Sequence, residues 1–364
     1  MTRIPIAKPE AGEEEIRAVS DVLRSGMFAQ GPVVRQFENE FAALCGTRHA
    51  VAVNNGTAAL HAALASAGIG PGDEVIVPTF SFFATASCVS MCGARPVFVD
   101  VDERMFGIDP ACVNNAITAK TKAVIGVHLF GQPFDVQPVR DICDDHNLLL
   151  IEDAAQAHGA LYRKKPVGSM GHAGCFSFYP TKNMTTGEGG IITTNDDEYA
   201  AVLRRFTNHG QSDKYYHTMI GYNYRMTDIG AAIGREQLKK LPEFNARRRA
   251  NAEYLSAHIH APGIVTPFCM PVATHVYHQY VLRVIPSCPL SRSELITMLA
   301  AKGIGSAIHY PIPIHRQPVY LSQNPEVSCP IAERLAQEVV SLPVHPNVTE
   351  PMLDEICDAI NSVS

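Results

Sequence analysis

Short apolar runs alternate with helix-like segments between about residues 50 and 195. These runs are apolar on both faces, and helical segments separate several of them, so the pattern predicts a mainly parallel sheet covered by helices on both sides. The predicted strands are 49–53, 73–78, 95–101, 122–130, 147–153, 175–179 and 189–194. The predicted helices are 57–67, 85–91 and 136–146. The last strand follows a long loop, which leaves antiparallel pairing open for it.

The remainder of the chain has a different pattern. Residues 225–262 are helical in character, and Pro242 is expected to kink or break this stretch. A strand pattern follows at 276–285, and then Ser291 and Glu294 form a capping-box pattern. Segments 329–343 and 349–363 look like two further helices. We therefore predict an α/β protein with a large domain (1–245, including an N-terminal helix) and a smaller C-terminal α+β domain (246–364).

Composition narrows the functional class. The 364 residues are 46% hydrophobic and 18% charged with a net charge of −6, which is typical of a globular protein and does not favour nucleic-acid binding. The sequence contains neither a long apolar run nor a signal-peptide pattern, so we expect no membrane span. The ten cysteines are scattered without a CxxC motif, which favours free thiols in a reducing cytoplasm and no metal site.

Three loops that follow predicted strands carry candidate chemistry. The first, NNGTAAL (54–60), joins a strand to a helix N-terminus, where backbone amides and the helix dipole favour an anion such as phosphate. The second, IEDAAQAHGA (151–160), begins with Asp153 at the end of an apolar strand, where a carboxylate is costly without a partner. The third, FSFYPTKNMTTGEGG (176–190), contains Lys182. Taken singly, these features are equally typical of a helix cap, a capping aspartate and a surface lysine.

Considered together, the three loops match the needs of pyridoxal phosphate (PLP). Its phosphate requires backbone amides and hydroxyls, its pyridine nitrogen stays protonated beside a carboxylate, and its aldehyde forms an imine with a lysine amine. An aromatic face for the ring is available in PTFSFFATA (78–86). The sequence therefore predicts a PLP enzyme.

The same motifs resemble the DegT/StrS-type nucleotide-sugar aminotransferases, a family of fold-type I PLP-dependent enzymes. The resemblance rests on motifs in the order typical of that family: NNGTAALHAAL, VPTFSFFATA, ARPVFVDVD, EDAAQAHGA, FSFYPTKNMTTGEGG, GYNYRMTDIGAAIG and HYPIPIHRQPVY. Since these motifs extend over nearly the whole chain, the resemblance implies the aspartate aminotransferase-like fold.

The resemblance also implies a role for individual residues. Lys182 is expected to be the Schiff-base lysine and the proton carrier, and Asp153 to pair with the pyridine nitrogen. Gln156 is expected to hydrogen-bond the phenolic oxygen of PLP, and Phe82 to stack on its ring. The residues expected to hold the phosphate are Gly56, Thr57 and Ser177.

Other implied contacts concern a second subunit and the substrate. Asn223 is expected to reach the phosphate of the neighbouring subunit, which implies a homodimer with shared active sites. His309 and Tyr310 are expected near the sugar-nucleotide pocket. The loop 208–217 offers further candidate substrate contacts, with a solvated loop as the alternative: His209, Lys214, Tyr215 and Tyr216.

The implied reaction is the transfer of an amino group from an amino acid, by family habit L-glutamate, to a UDP- or dTDP-linked keto-sugar. Three alternatives remain at this stage: a PLP enzyme for a cyclitol or other cyclic ketone, a PLP-dependent sugar dehydratase, and a non-enzymatic regulator that keeps the fold. The presence of Lys182 disfavours the dehydratase, in which a histidine replaces the lysine. The sequence does not specify the sugar, the nucleotide, the aminated carbon or its stereochemistry.

Overall fold

The computed structural model describes residues 3–323 and 325–363. The helices are α1 Glu13–Ser25, α2 Pro32–Cys45, α3 Gly56–Ser66, α4 Ala84–Met91, α5 Pro110–Ala116, α6 Val136–Asp145, α7 Asp197–Phe206, α8 Asp228–His258, α9 Arg292–Ala301, α10 Pro318–Leu321, α11 Pro330–Glu338 and α12 Glu350–Asn361. The strands are β1 His49–Val53, β2 Glu74–Pro78, β3 Arg95–Val99, β4 Thr121–Val127, β5 Leu149–Asp153, β6 Leu161–Tyr162, β7 Lys165–Pro166, β8 Ala173–Ser177, β9 Gly190–Thr194, β10 Gln211–Asp213, β11 Tyr216–His217, β12 Ile264–Val265, β13 Ala273–Thr274, β14 Tyr280–Val284 and β15 Val339–Leu342.

A seven-stranded sheet organises the first part of the chain, in the order β1-β9-β8-β5-β4-β2-β3. The five strands from β8 to β3 are parallel, and β9 pairs antiparallel with both β8 and β1. This confirms the predicted mainly parallel sheet and the antiparallel option for the last strand. Since β1, β5 and β8 run in the same direction, their carboxyl ends lie at one edge, where ligands bind in open α/β sheets.

Alternation along the strands creates two separate apolar cores. Val75 and Val77 of β2 face one core and Ile76 faces the other, because successive side chains of a strand point to opposite faces. Helix α3 packs into the first core and α2 into the second. The sheet is therefore covered on both sides, as the doubly apolar strand pattern predicts.

The later part of the chain builds a third apolar core around the sheet β12-β14-β15. The capping box of Ser291 and Glu294 is present at the start of α9, as predicted. Two expectations are corrected. The chain does not break at Pro242, which lies within the 31-residue helix α8. The helix continues there because its packing against α1 and α2 outweighs the hydrogen bond that proline cannot make. The apolar run at 339–342 is the strand β15 rather than the end of a helix, because it pairs with β14.

Over the described ranges, no helix combines the length and the apolar character that crossing a bilayer requires.

The side chain of Glu152 holds the end of β5 in place through hydrogen bonds. Its side chain is fully buried and accepts hydrogen bonds from His128 Nε2 at 3.0 Å and from the backbone amides of Gly168, Met170 and Gly171 at 2.7–2.8 Å. Burial alone would raise the pKa of Glu152, but the hydrogen bonds from His128 and these amides hold it below its ordinary value. The carboxylate therefore ties β4, β5 and the 168–171 loop together next to Asp153.

We predict that Glu152→Gln lowers the free energy of unfolding by about 2–4 kcal/mol, because an amide nitrogen would face backbone N–H donors. Denaturant titration at neutral pH measures this loss. Since the folded-state pKa of Glu152 is lowered, its stabilisation is present above its ordinary pKa and disappears in acid, so the difference from wild type should shrink there. Glu243→Gln, at an exposed pair with Arg247, is the control and should cost less than about 1 kcal/mol. Equal losses of unfolding free energy in the two variants would contradict the proposed role of Glu152 in tying these segments together.

Candidate active site

A cavity of about 730 Å³ opens at the carboxyl ends of the sheet strands. It collects nine of the fourteen candidate site residues predicted from the sequence: Gly56, Thr57, Phe82, Asp153, Gln156, Ser177, Lys182, His309 and Tyr310. Residues that are far apart in the sequence thus converge on Lys182, and all of them except His309 and Tyr310 come from the ends of strands at one edge of the sheet.

The N-terminus of α3 forms one wall of the cavity. Helix α3 begins at Gly56, one residue earlier than predicted, and Asn55 caps it by accepting a hydrogen bond from Ala58 N at 2.8 Å. A Cβ atom at Gly56 would lie 2.7 Å from Ser177 Cβ, so the helix end and β8 approach this closely only with glycine. The result is a helix N-terminus flanked by two hydroxyls, a favourable environment for a phosphate.

Asp153 ends β5 inside the cavity and is only 5% exposed. Thr85 Oγ1 donates a hydrogen bond to its Oδ2 at 2.9 Å, and Ala155 N donates to its Oδ1 at 3.2 Å. Burial raises the pKa of Asp153, while the hydrogen bond from Thr85 and the charge of Lys182 oppose the rise. The carboxylate is thus oriented and partly compensated, and a cationic ligand would favour its charged form.

Lys182 lies in the loop after β8 and lines the same cavity. Burial lowers the pKa of Lys182 from 10.5 to about 8, and the charge of Asp153 limits the drop. The lowered pKa therefore increases the neutral, and hence nucleophilic, fraction of the amine near neutral pH. The plainer interpretation of Lys182 as a solvated surface charge does not fit this position.

Gln156, Phe82 and Tyr310 also line the cavity. Phe130 N donates to Gln156 Oε1 at 2.7 Å, and Gln156 Nε2 donates to the Tyr310 hydroxyl at 3.1 Å. Phe82 is 54% exposed at the rim, with its ring centroid 5.9 Å from that of Tyr310. His309 donates to or accepts from Ser341 Oγ at 2.8 Å, and burial lowers its pKa to about 4.

Five predicted residues lie outside the cavity of this chain: His209, Lys214, Tyr215, Tyr216 and Asn223. Asn223 forms an isolated bridge with Asn208, and Tyr215 is 80% exposed on the β10–β11 hairpin. Their proposed contacts with a second subunit or with substrate stay predictions.

Several wall residues were missed by the sequence analysis. Thr85 belongs to the quoted segment PTFSFFATA, but nothing in that segment identifies its contact with Asp153. His278 is buried and also lines the cavity. Phe130 and Glu188 gave no signal, because one acts through its backbone and the other is a loop carboxylate.

Fold and site together define an aminotransferase of the PLP-enzyme architecture. The model of the DegT/DnrJ/EryC1/StrS aminotransferase family matches residues 9–361, so the chain belongs to this family.

Two characterised relatives are named as nucleotide-sugar transaminases. The dTDP-3-amino-3,4,6-trideoxy-alpha-D-glucose transaminase of Streptomyces venezuelae is 43% identical over 366 residues, covering 98% of this chain and 95% of the relative. The UDP-N-acetyl-3-dehydro-alpha-D-glucosamine 3-aminotransferase of Acidithiobacillus ferrooxidans is 41% identical over 349 residues, covering 96% and 93%.

Solved structures agree with this assignment. The crystal structure of DesV from S. venezuelae, in complex with a ketimine intermediate, has a TM-score of 0.94 and 42% identity, covering 100% of this chain and 98% of that chain. Spr1654 from Streptococcus pneumoniae, solved in its PLP-form, has a TM-score of 0.93 and 29% identity, covering 99% of this chain and 98% of that chain.

We predict that the Lys182 amine of cofactor-free protein titrates near pH 8, because burial destabilises its charged form. The pH profile of amine modification at each lysine, followed by peptide mapping, measures this midpoint. Exposed Lys122 is the internal reference for the amount of reagent. Asp153→Asn should move the Lys182 midpoint further down, because it removes the charge that stabilises the ammonium form. A Lys182 midpoint at its ordinary value of 10.5 would contradict the assigned environment.

Proposed function

We propose that this chain binds PLP in the cavity and transfers an amino group from an amino acid, by family habit L-glutamate, to a keto-sugar linked to UDP or dTDP. The observation that carries the proposal is the placement of Lys182, with its lowered pKa, and the buried carboxylate of Asp153 in one cavity below a helix N-terminus.

The residues present fit the cofactor. The N-terminus of α3 with Thr57 and Ser177 suits its phosphate, and Phe82 offers an apolar face for its ring. Asp153 is buried and directed into the cavity, which suits a protonated pyridine nitrogen. When bound, PLP supplies an electrophilic carbonyl for amines and a cationic ring that accepts electrons.

The chain's own residues then have separate tasks. Lys182 binds the cofactor through its Nζ and, once an amino acid displaces it, accepts and returns a proton as a neutral amine, which its lowered pKa favours. Asp153 keeps the ring charged, and Thr85 orients Asp153. Phe82 and Tyr310 shield the reacting region from water.

The nucleotide-sugar acceptor is supported by two relatives that are named for dTDP- and UDP-linked sugars. The volume of about 730 Å³ lies in the range of small-molecule and cofactor sites. A cyclitol or another cyclic ketone stays the alternative acceptor. The dehydratase alternative is disfavoured because Lys182 is in place.

A homodimer with shared sites is the second part of the proposal. The segment that carries Asn223 exposes large apolar side chains, an arrangement typical of a protein interface. The exposed members are Tyr215, Tyr216, Ile220 and Tyr222. We therefore propose that this segment packs on a second copy and delivers Asn223 to its phosphate site.

A cytoplasmic location completes the proposal. All ten cysteines are free thiols, which supports a reducing compartment.

We expect the protein purified with PLP to absorb visible light and to become labelled at Lys182 after borohydride reduction, and Lys182→Ala to lack both properties. In a single-turnover assay, the amino form of the wild type should recover its visible spectrum on mixing with a matching keto-sugar nucleotide. A panel of UDP- and dTDP-linked keto-sugars, with free cyclic ketones as the comparison, identifies the acceptor. A colourless wild type without label at Lys182 would overturn the proposed function.

Subunit complementation tests the shared site. Lys182→Ala and Asn223→Ala chains are each expected to be impaired at limiting PLP. When the two chains assemble at random in equal amounts, half of the dimers are mixed and each has one intact site, so about a quarter of wild-type activity should return. Activity no higher than the mean of the two single variants would place Asn223 outside the partner's site.

A further inference from the structure

Gln156 is held on both sides of its amide group. Its Oε1 accepts a hydrogen bond from Phe130 N at 2.7 Å, and its Nε2 donates to the Tyr310 hydroxyl at 3.1 Å. The side chain is 6% exposed. Because a backbone N–H is always a donor, the contact with Phe130 determines which end of the amide is oxygen, an assignment that coordinates alone often leave open.

The Phe130 contact depends on an uncommon backbone conformation. Phe130 has φ 58° and ψ 4°, the left-handed region that side-chain-bearing residues rarely adopt. The turn is held from both sides, since Val276 N donates to Gly131 O and Gln279 N donates to Phe130 O. This strained turn aims the Phe130 amide at Gln156 and leaves Nε2 as a donor into the cavity.

Tyr310 is therefore engaged as an acceptor, and its own hydroxyl proton is left for another partner. Burial and the charge of Asp153 both raise the pKa of Tyr310, so the hydroxyl stays protonated. Tyr310 also lines the same cavity as Asp153 and Gln156. A neutral donor held there differs from the sugar contact that the sequence predicts for Tyr310.

The C-terminal part of the chain fixes the position of Tyr310. The backbone of Ala307 pairs with that of Ser341 on β15, and His309 hydrogen-bonds Ser341 Oγ. Ile314 N donates to Thr79 O, beyond the end of β2. The chain is thus held by hydrogen bonds on both sides of Tyr310, which fixes the position of the hydroxyl that contacts Gln156.

We propose that Tyr310 is a positioning residue for the cofactor: together with Phe130 N it holds Gln156 as a hydrogen-bond donor to the phenolic oxygen of PLP. The proposal rests on the proposed function. A hydrogen bond to that oxygen withdraws negative charge from beside the nitrogen of Lys182, which lowers the pKa of that nitrogen when the cofactor is attached.

The test is Tyr310→Phe in PLP-loaded enzyme, with no sugar present. The pH midpoint of the visible absorbance should rise by about half a unit or more. The half-reaction with the amino donor alone should slow by about threefold or more. Tyr254→Phe, which removes a hydroxyl bonded to Asp354 outside the cavity, is the matched control and should leave the midpoint unchanged.

A double variant separates positioning from a direct effect. If Tyr310 acts through Gln156, then Gln156→Ala should raise the midpoint by itself, and adding Tyr310→Phe should raise it no further. Additive shifts of the midpoint in the double variant would contradict an action of Tyr310 through Gln156. The proposal would also be overturned if Tyr310→Phe left the midpoint and the donor half-reaction unchanged and raised the KM for the keto-sugar. That result would assign Tyr310 to binding of the sugar. Failure of the proposed function is distinct, because the wild type itself would then lack the visible band.

Discussion

The structure depends on one constraint, which is the burial of the Asp153 carboxylate at the end of a parallel strand. A carboxylate in that position is costly unless donors and a cation meet it. The chain supplies the donors through Thr85 and Ala155, and it places the amine of Lys182 in the same cavity. The mutual influence of the two groups is visible in their pKa values, since each opposes the effect of burial on the other. Much of the cavity wall can be understood as the environment that this pair requires.

Two parts of the chain contribute to that environment in different ways. The large sheet supplies Asp153, Lys182 and the helix N-terminus that suits a phosphate, all at one edge of the sheet. The C-terminal part supplies His309 and Tyr310, whose positions follow from the pairing with β15. Tyr310 packs against the first apolar core, and β15 contributes Val339 to that core and Val340 to the third, so the C-terminal part is joined to the large sheet beside the cavity.

The sequence predicted most of the sheet and nine of the cavity residues, because alternating apolar runs and strand-to-loop transitions are local signals. It failed where tertiary contacts decide. Pro242 does not end α8, since packing against neighbouring helices outweighs one missing hydrogen bond. The strand β15 looked helical because only its pairing with β14 distinguishes it. Thr85 and Phe130 act through a single hydroxyl and a single strained amide, features that leave no pattern in a sequence.

Glu152 and Asp153 are adjacent residues whose side chains leave β5 on opposite faces. The first is satisfied entirely by protein donors, while the second keeps capacity for a ligand. One strand therefore carries two neighbouring carboxylates, of which Glu152 stabilises the fold and Asp153 serves the chemistry of the cavity. Because the two side chains lie on opposite faces of β5, substitutions around one can change the stability of the fold while substitutions around the other change reactivity, and neither change requires the other.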